Sequence, residues 1–104
     1  MPKKVVIAGN AAVKHINTGE ATVGTSAATL SSNSRNLTDG VQIVADSSNT
    51  NSVWVGVRSN LTAGGALSGV EIVPGADLLV PVTAEEKLYL ISDAVSQKVT
   101  FMSY

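Results

Sequence analysis

Between positions 53 and 58 the chain reads Val53-Trp54-Val55-Gly56-Val57-Arg58, and this alternation of valine with other residues fits a pleated strand and no helix. One face of that strand is expected to be buried valine. The same period of two recurs in Val41-Gln42-Ile43-Val44-Ala45-Asp46, with Val41, Ile43 and Ala45 inward. The apolar residues are mostly β-branched, with fifteen Val and five Ile against eight Leu. Such side chains lose rotamer freedom in helices and pack well on pleated surfaces. No stretch of a dozen residues carries helical periodicity without a glycine or a turn cluster inside it, and Ala84-Glu85-Glu86-Lys87 supports one helical turn at most.

Turn chemistry then divides the strands. Ser47 to Ser52 is a polar cluster, which predicts a hairpin between 41–46 and 53–58. Pro74-Gly75-Ala76-Asp77 separates Val70-Glu71-Ile72-Val73 from Leu78-Leu79-Val80-Pro81-Val82, and Pro81, lacking a ladder donor, places its strand at an edge or bulge. Asp93 to Ser96 joins 87–92 to 97–103 as a terminal hairpin. Weaker strands are expected near 5–8, 12–16 and 27–30. The resulting fold is an all-β antiparallel β-sandwich, jelly-roll or Ig-like, or a small barrel, with an extended N-terminal arm. At 104 residues it is one domain: arm 1–20, docked on or exchanged with a neighbouring subunit, and sandwich 21–104.

The chemistry-bearing residues are few. Charged residues make up 14% of the chain and the net charge is -1, so no basic stripe exists to track a phosphate backbone and nucleic acid is not an expected partner. No apolar run reaches the roughly 18–20 residues of a membrane helix. Met1-Pro2-Lys3-Lys4 before Val5-Val6-Ile7-Ala8 has the charge order of a secretory signal but too short an apolar run, and is read as a mature N-terminus made in the cytoplasm. With no cysteine and one histidine, His15, a zinc site would need several carboxylates, and thiol chemistry is excluded. His15 is read as a solvated or interface residue. The acids Glu20, Asp39, Asp46, Glu71, Asp77, Glu85, Glu86 and Asp93 fall mostly at turns or outward strand positions, where solvation explains them. Oxygens at Asp39-Gly40 and 46–48 match no calcium-loop spacing. Gly64-Gly65 lacks the Lys-Ser/Thr of a phosphate loop. No cofactor and no catalytic group is expected, and the chain reads as non-enzymatic.

Binding is the remaining class. Trp54 lies opposite the valine row, where it either stacks on a sugar or anchors a partner, or is covered as core or subunit interface. The long loop 60–69 contributes Asn60, Leu61 and Leu67, and the arm contributes His15 and Ile16; with Trp54 these are the candidate partner-binding residues. Low charge and few aromatics imply that part of the surface is covered in the working state, as in a homo-oligomer.

The run Gly24-Thr25-Ser26-Ala27-Ala28-Thr29-Leu30, then 41–45, Val53-Trp54-Val55-Gly56, Gly69-Val70-Glu71-Ile72-Val73-Pro74-Gly75 and Leu88-Tyr89-Leu90-Ile91 resembles small β-sandwich structural proteins of tailed bacteriophages. The resemblance covers about residues 20–104. It implies a capsid decoration (cement) protein on the virion surface, synthesised in the host cytoplasm, whose partners are the major capsid protein and copies of itself, a trimer being a natural arrangement at three-fold positions. The alternative is a carbohydrate- or receptor-binding module of a head fibre or tail appendage, working through Trp54 and loop 60–69; a glycan ligand is the less favoured of the two.

Overall fold

The computed structural model describes residues 16–65 and 69–104. Among the described residues there are eight strands: β1 (Asn17–Val23), β2 (Ala28–Thr29), β3 (Val41–Ala45), β4 (Val53–Gly56), β5 (Val70–Ile72), β6 (Asp77–Val80), β7 (Tyr89–Ser92) and β8 (Gln97–Ser103). A single 3-10 turn, Glu85–Lys87, occupies the place where one helical turn was expected. The strands form two four-stranded antiparallel sheets, ordered β1-β8-β3-β6 and β2-β7-β4-β5. The chain changes sheet at every step except β4 to β5. Two sheets wound together in this order make a jelly roll, one of the sandwich architectures the alternation pattern allows.

This winding corrects the two expected hairpins, and the turn at 74–77 likewise joins opposite sheets. β3 and β4 lie in opposite sheets, as do β5 and β6, and β7 and β8. A polar cluster specifies that the chain reverses, but a strand that reverses into the facing sheet buries the same apolar row as one that pairs with its predecessor. Side-chain hydrogen bonds at the 47–52 corner hold the crossing. Asn49 behaves as an extra strand residue against β8, its amide donating to the Lys98 carbonyl and its oxygen accepting the Lys98 N–H, both at 2.8 Å. The buried Gln97 accepts the N–H groups of Thr50 at 2.9 Å and Asn51 at 3.0 Å. The loop is thereby fixed to β8 and not to β4. Gln97→Leu, which leaves both N–H groups without their partner, is expected to cost about 1–2 kcal/mol, read as a drop in the thermal midpoint.

The core lies between the sheets. Ile43 faces Phe101 across the β3–β8 ladder and Val55 faces Leu90 across β4–β7, all four being buried. β8 alternates buried and exposed residues along its whole length. The valine row of β4 is shorter than expected: the strand ends at Gly56, the chain turns with the Leu61 N–H donating to the Arg58 carbonyl, and Val57 is exposed. Pro81 follows the last residue of β6, which is an edge strand, as its missing donor requires. β1 enters the sandwich at Asn17, so residues 17–20, assigned above to the arm, are strand; residues 1–15, with the expected strand at 5–8 and nearly all of that at 12–16, lie outside the described residues.

Gly40 carries the turn into β3 at φ +115°, and a Cβ there would sit 2.2 Å from the Val80 carbonyl oxygen. Its N–H donates to the Tyr104 carbonyl at 2.9 Å, so it cannot move away without opening the end of the sheet. Gly40→Ala is expected to lose about 2–3 kcal/mol from the strained backbone and the clash, measured as a lower urea midpoint at unchanged m-value.

Candidate docking surface

Each sheet has an outer face, and the two differ. On the β2-β7-β4-β5 sheet, Trp54 projects outward between Ile91 of β7 and Glu71 of β5. Glu71 accepts a hydrogen bond from the Ser52 hydroxyl at 2.6 Å. The loop after β4 folds back over this face. Leu61 is buried against Gly56, whose bare backbone leaves room for it: a Cβ at 56 would meet the Leu61 Cδ1 at 2.7 Å. Gly64 stands over the Trp54 ring, which is half-buried. Leu61, Ile91 and Trp54 therefore form a small second apolar layer outside the sheet. Beside it lies a hollow of about 700 Å³ whose lining includes the hydroxyl-bearing Thr25, Ser26 and Ser59, with Ile91 and Asp93.

This placement sorts the candidate contact residues. Trp54 and Leu61 are brought together, but Leu61 is packing and not an exposed contact. Asn60 is exposed at the turn, and Ile16 is exposed immediately before β1. His15 and Leu67 lie outside the described residues.

On the β1-β8-β3-β6 sheet, no loop among the described residues covers Met102, Leu79 or Val44. Register places Thr18, Met102, Gln42 and Leu79 in one row across its outer face, and Glu20, Thr100, Val44 and Asp77 in the next. Ile16 is 60% exposed, Leu79 53%, Met102 43% and Val44 37%. A shallow concavity of about 550 Å³ opens among Thr18, Gln42, Val44, Thr100 and Met102. Glu20, Asp77 and Lys98 sit at one end, where the Gln42 amide donates to Asp77 at 3.0 Å. Toward the other end the row Thr18, Met102, Gln42 and Leu79 holds no charged residue, and the exposed Asp39 lies beyond it, its N–H donating to the Tyr104 carbonyl. The signal for this face was present in the sequence: Ile43-Val44, Leu78-Leu79 and Phe101-Met102 are apolar doublets in strands, so one member of each must face away from the core. All three doublets fall in the same sheet.

Beneath this end lies a buried carboxylate. Glu85, expected at the surface, is enclosed by its 3-10 turn and accepts hydrogen bonds from the Asn17 amide at 2.8 Å, the Ser31 hydroxyl at 2.6 Å and the Ser103 hydroxyl. It therefore joins the start of β1, the loop after β2 and the end of β8. Burial pushes its pKa up, but the three donors outweigh burial, with Arg35 assisting, and the pKa lies below the ordinary glutamate value. Asp46 is also lowered, by the N–H and hydroxyl of Ser48 acting against slight desolvation and with the Lys98 charge. Neither carboxylate belongs to a cluster: among the described residues no three His, Cys, Asp or Glu side chains are grouped to hold a metal ion, and no helix is long and apolar enough to cross a membrane.

Compared with known proteins, the chain matches no family model, no curated relative and no solved structure.

Proposed function

We propose that this protein is a non-enzymatic structural component of a phage virion, a capsid decoration (cement) protein that binds the capsid exterior through the outer face of its β1-β8-β3-β6 sheet. The observation that carries the reading is the set of exposed apolar side chains on that face, Ile16, Leu79 and Met102 with Val44 beside them. Exposed apolar side chains gathered on one rigid sheet suit a protein whose work is to add interface. A sheet face also presents its contacts without loop ordering, which keeps the entropic cost of docking low. Many equivalent copies on a symmetric shell make a modest contact effective, and self-association of the domain, as a trimer in the simplest case, adds to it.

A carbohydrate- or receptor-binding module is the second reading, favoured by the hydroxyl-lined hollow beside Leu61 and Ile91 on the opposite sheet. The two readings use opposite faces of the molecule. Co-sedimentation with capsid shells of the Leu79→Lys/Met102→Lys variant separates them: the decoration reading requires loss of particle binding by a folded protein, whereas undiminished binding refutes it.

A further inference from the structure

We propose that Asp39-Gly40 is a modification site that the fold holds closed: aspartate isomerisation is blocked there in the native state, and a chain that isomerises while unfolded cannot rebuild the end of the β1-β8-β3-β6 sheet. The inference is independent of what the protein binds. In the whole sequence this is the only place where glycine follows an aspartate or an asparagine; Asp46, Asp77 and Asp93 are followed by Ser47, Leu78 and Ala94. The chemistry needs only water. The Gly40 nitrogen bonds to the carboxyl carbon of the Asp39 side chain, its proton and the carboxyl hydroxyl leave as one water molecule, and a cyclic imide closes. Water then adds back at one of the two imide carbonyls. Addition at the side-chain carbon restores Asp39. Addition at the main-chain carbonyl leaves the backbone running through the Asp39 Cβ, an isoaspartyl link with no change of mass or oxidation state. Glycine favours ring closure because no Cβ crowds its nitrogen and its backbone rotates most freely.

The folded chain denies this reaction both its nucleophile and its motion. Asp39 is exposed, but Gly40 is buried. The Gly40 N–H donates to the Tyr104 carbonyl at 2.9 Å and the Gly40 carbonyl accepts the Tyr104 N–H at 3.0 Å, so the attacking nitrogen is paired at the end of the β3–β8 ladder and shielded from solvent base. The Asp39 N–H donates to the same Tyr104 carbonyl at 2.7 Å. Rotation about Gly40 is hindered as well, since the Val80 carbonyl oxygen and the Pro81 Cα lie 2.2 Å and 2.8 Å from where a Cβ would sit. Upstream, the Leu37 N–H is fixed to the Thr83 carbonyl at 2.8 Å. An isoaspartyl link adds one main-chain atom between these anchors, so Gly40 cannot keep both Tyr104 bonds while Leu37 keeps Thr83. Protection of the native chain and failed reclosure of the modified one follow from the same pins.

Each passage through the imide leaves one solvent oxygen in the product, so the full-length chain is incubated in oxygen-18 water at neutral pH, once native in sodium chloride and once unfolded in guanidinium chloride of equal ionic strength. Peptide mapping is expected to find the label and the isoaspartyl link at Asp39 in the unfolded chain, ahead of Asp46, Asp77 and Asp93. The native chain, which reacts only through local opening, is expected to carry at least about tenfold less of both. Asp39→Glu, which has a larger ring to close, is expected to stay unlabelled at that position even when unfolded. Isoaspartyl chain separated from the unfolded sample and refolded is expected to show a lower urea midpoint than Asp39 chain carried through the same steps. Equal labelling of native and unfolded chains, labelling of the unfolded chain no faster at Asp39 than at the other aspartates, label persisting at that position in Asp39→Glu, or an isoaspartyl chain with an unaltered midpoint overturns the proposal.

Discussion

Replacing Glu85 by alanine is expected to destabilise the fold by about 3–5 kcal/mol, because it strands polar groups that were buried around a charge. Asn17, Ser31 and Ser103 donate to this one carboxylate from three separate parts of the chain, and the substitution leaves all three without their acceptor. Against a total stability of about 5–15 kcal/mol for a domain, that loss shows as a large fall in the denaturation midpoint. The same geometry sets a pH dependence. The folded-state pKa of Glu85 lies below its ordinary value of 4.5, so the folded state holds the proton less tightly than the unfolded chain does. The stabilisation is therefore complete above about pH 4.5 and is lost as the pH falls through the depressed folded value. Glu85→Gln keeps the shape but replaces one accepting oxygen by a donating amide. It should lower stability at neutral pH and flatten the acid limb of the stability curve, to which Asp46, whose pKa is lowered in the same direction, also contributes. An acid limb unchanged by Glu85→Gln contradicts this assignment.

The second large effect is expected on binding. Leu79 and Met102 are separated only by Gln42 across the outer face, and both project away from the core. Lysine is tolerated there in the free protein, where its ammonium stays in water. On a covered face it must be desolvated without a partner, at about 2–3 kcal/mol for each side chain. The double variant should therefore bind particles roughly a thousandfold to ten-thousandfold more weakly, with an unaltered thermal midpoint. Lys98→Ser, at the charged end of the same sheet, should change binding little.

The all-β class, the edge position of Pro81, the single turn at Glu85 and the inward rows of β3 and β4 could be read from residues, because a period of two and the absence of a ladder donor are local properties. Which strands pair could not. Ser47 to Ser52 looks like any hairpin turn until Asn49 and Gln97 are seen to hold it against β8, and those partners are 46 to 49 residues away in sequence. β1 escaped notice because its inward positions, Gly19, Ala21 and Val23, rise from no side chain to a small one and a valine, so the apolar alternation is faint. Of the candidate contact residues, Ile16 is exposed, whereas Leu61 is buried over Gly56. The doublets Ile43-Val44, Leu78-Leu79 and Phe101-Met102 carried the more useful signal, and only the sheet order reveals that they share a face. Glu85 was hidden for a similar reason: its donors come from distant segments, and nothing beside it in the chain marks it as buried.

The proposed decoration role is tested most directly by a cryo-EM map of the capsid carrying this protein. It should place the outer face of the β1-β8-β3-β6 sheet, with Leu79 and Met102, against the shell, and turn the loop over Trp54 toward solvent. Density that seats the Trp54 face on the shell, or that finds the protein only on fibres or tail appendages, contradicts the account.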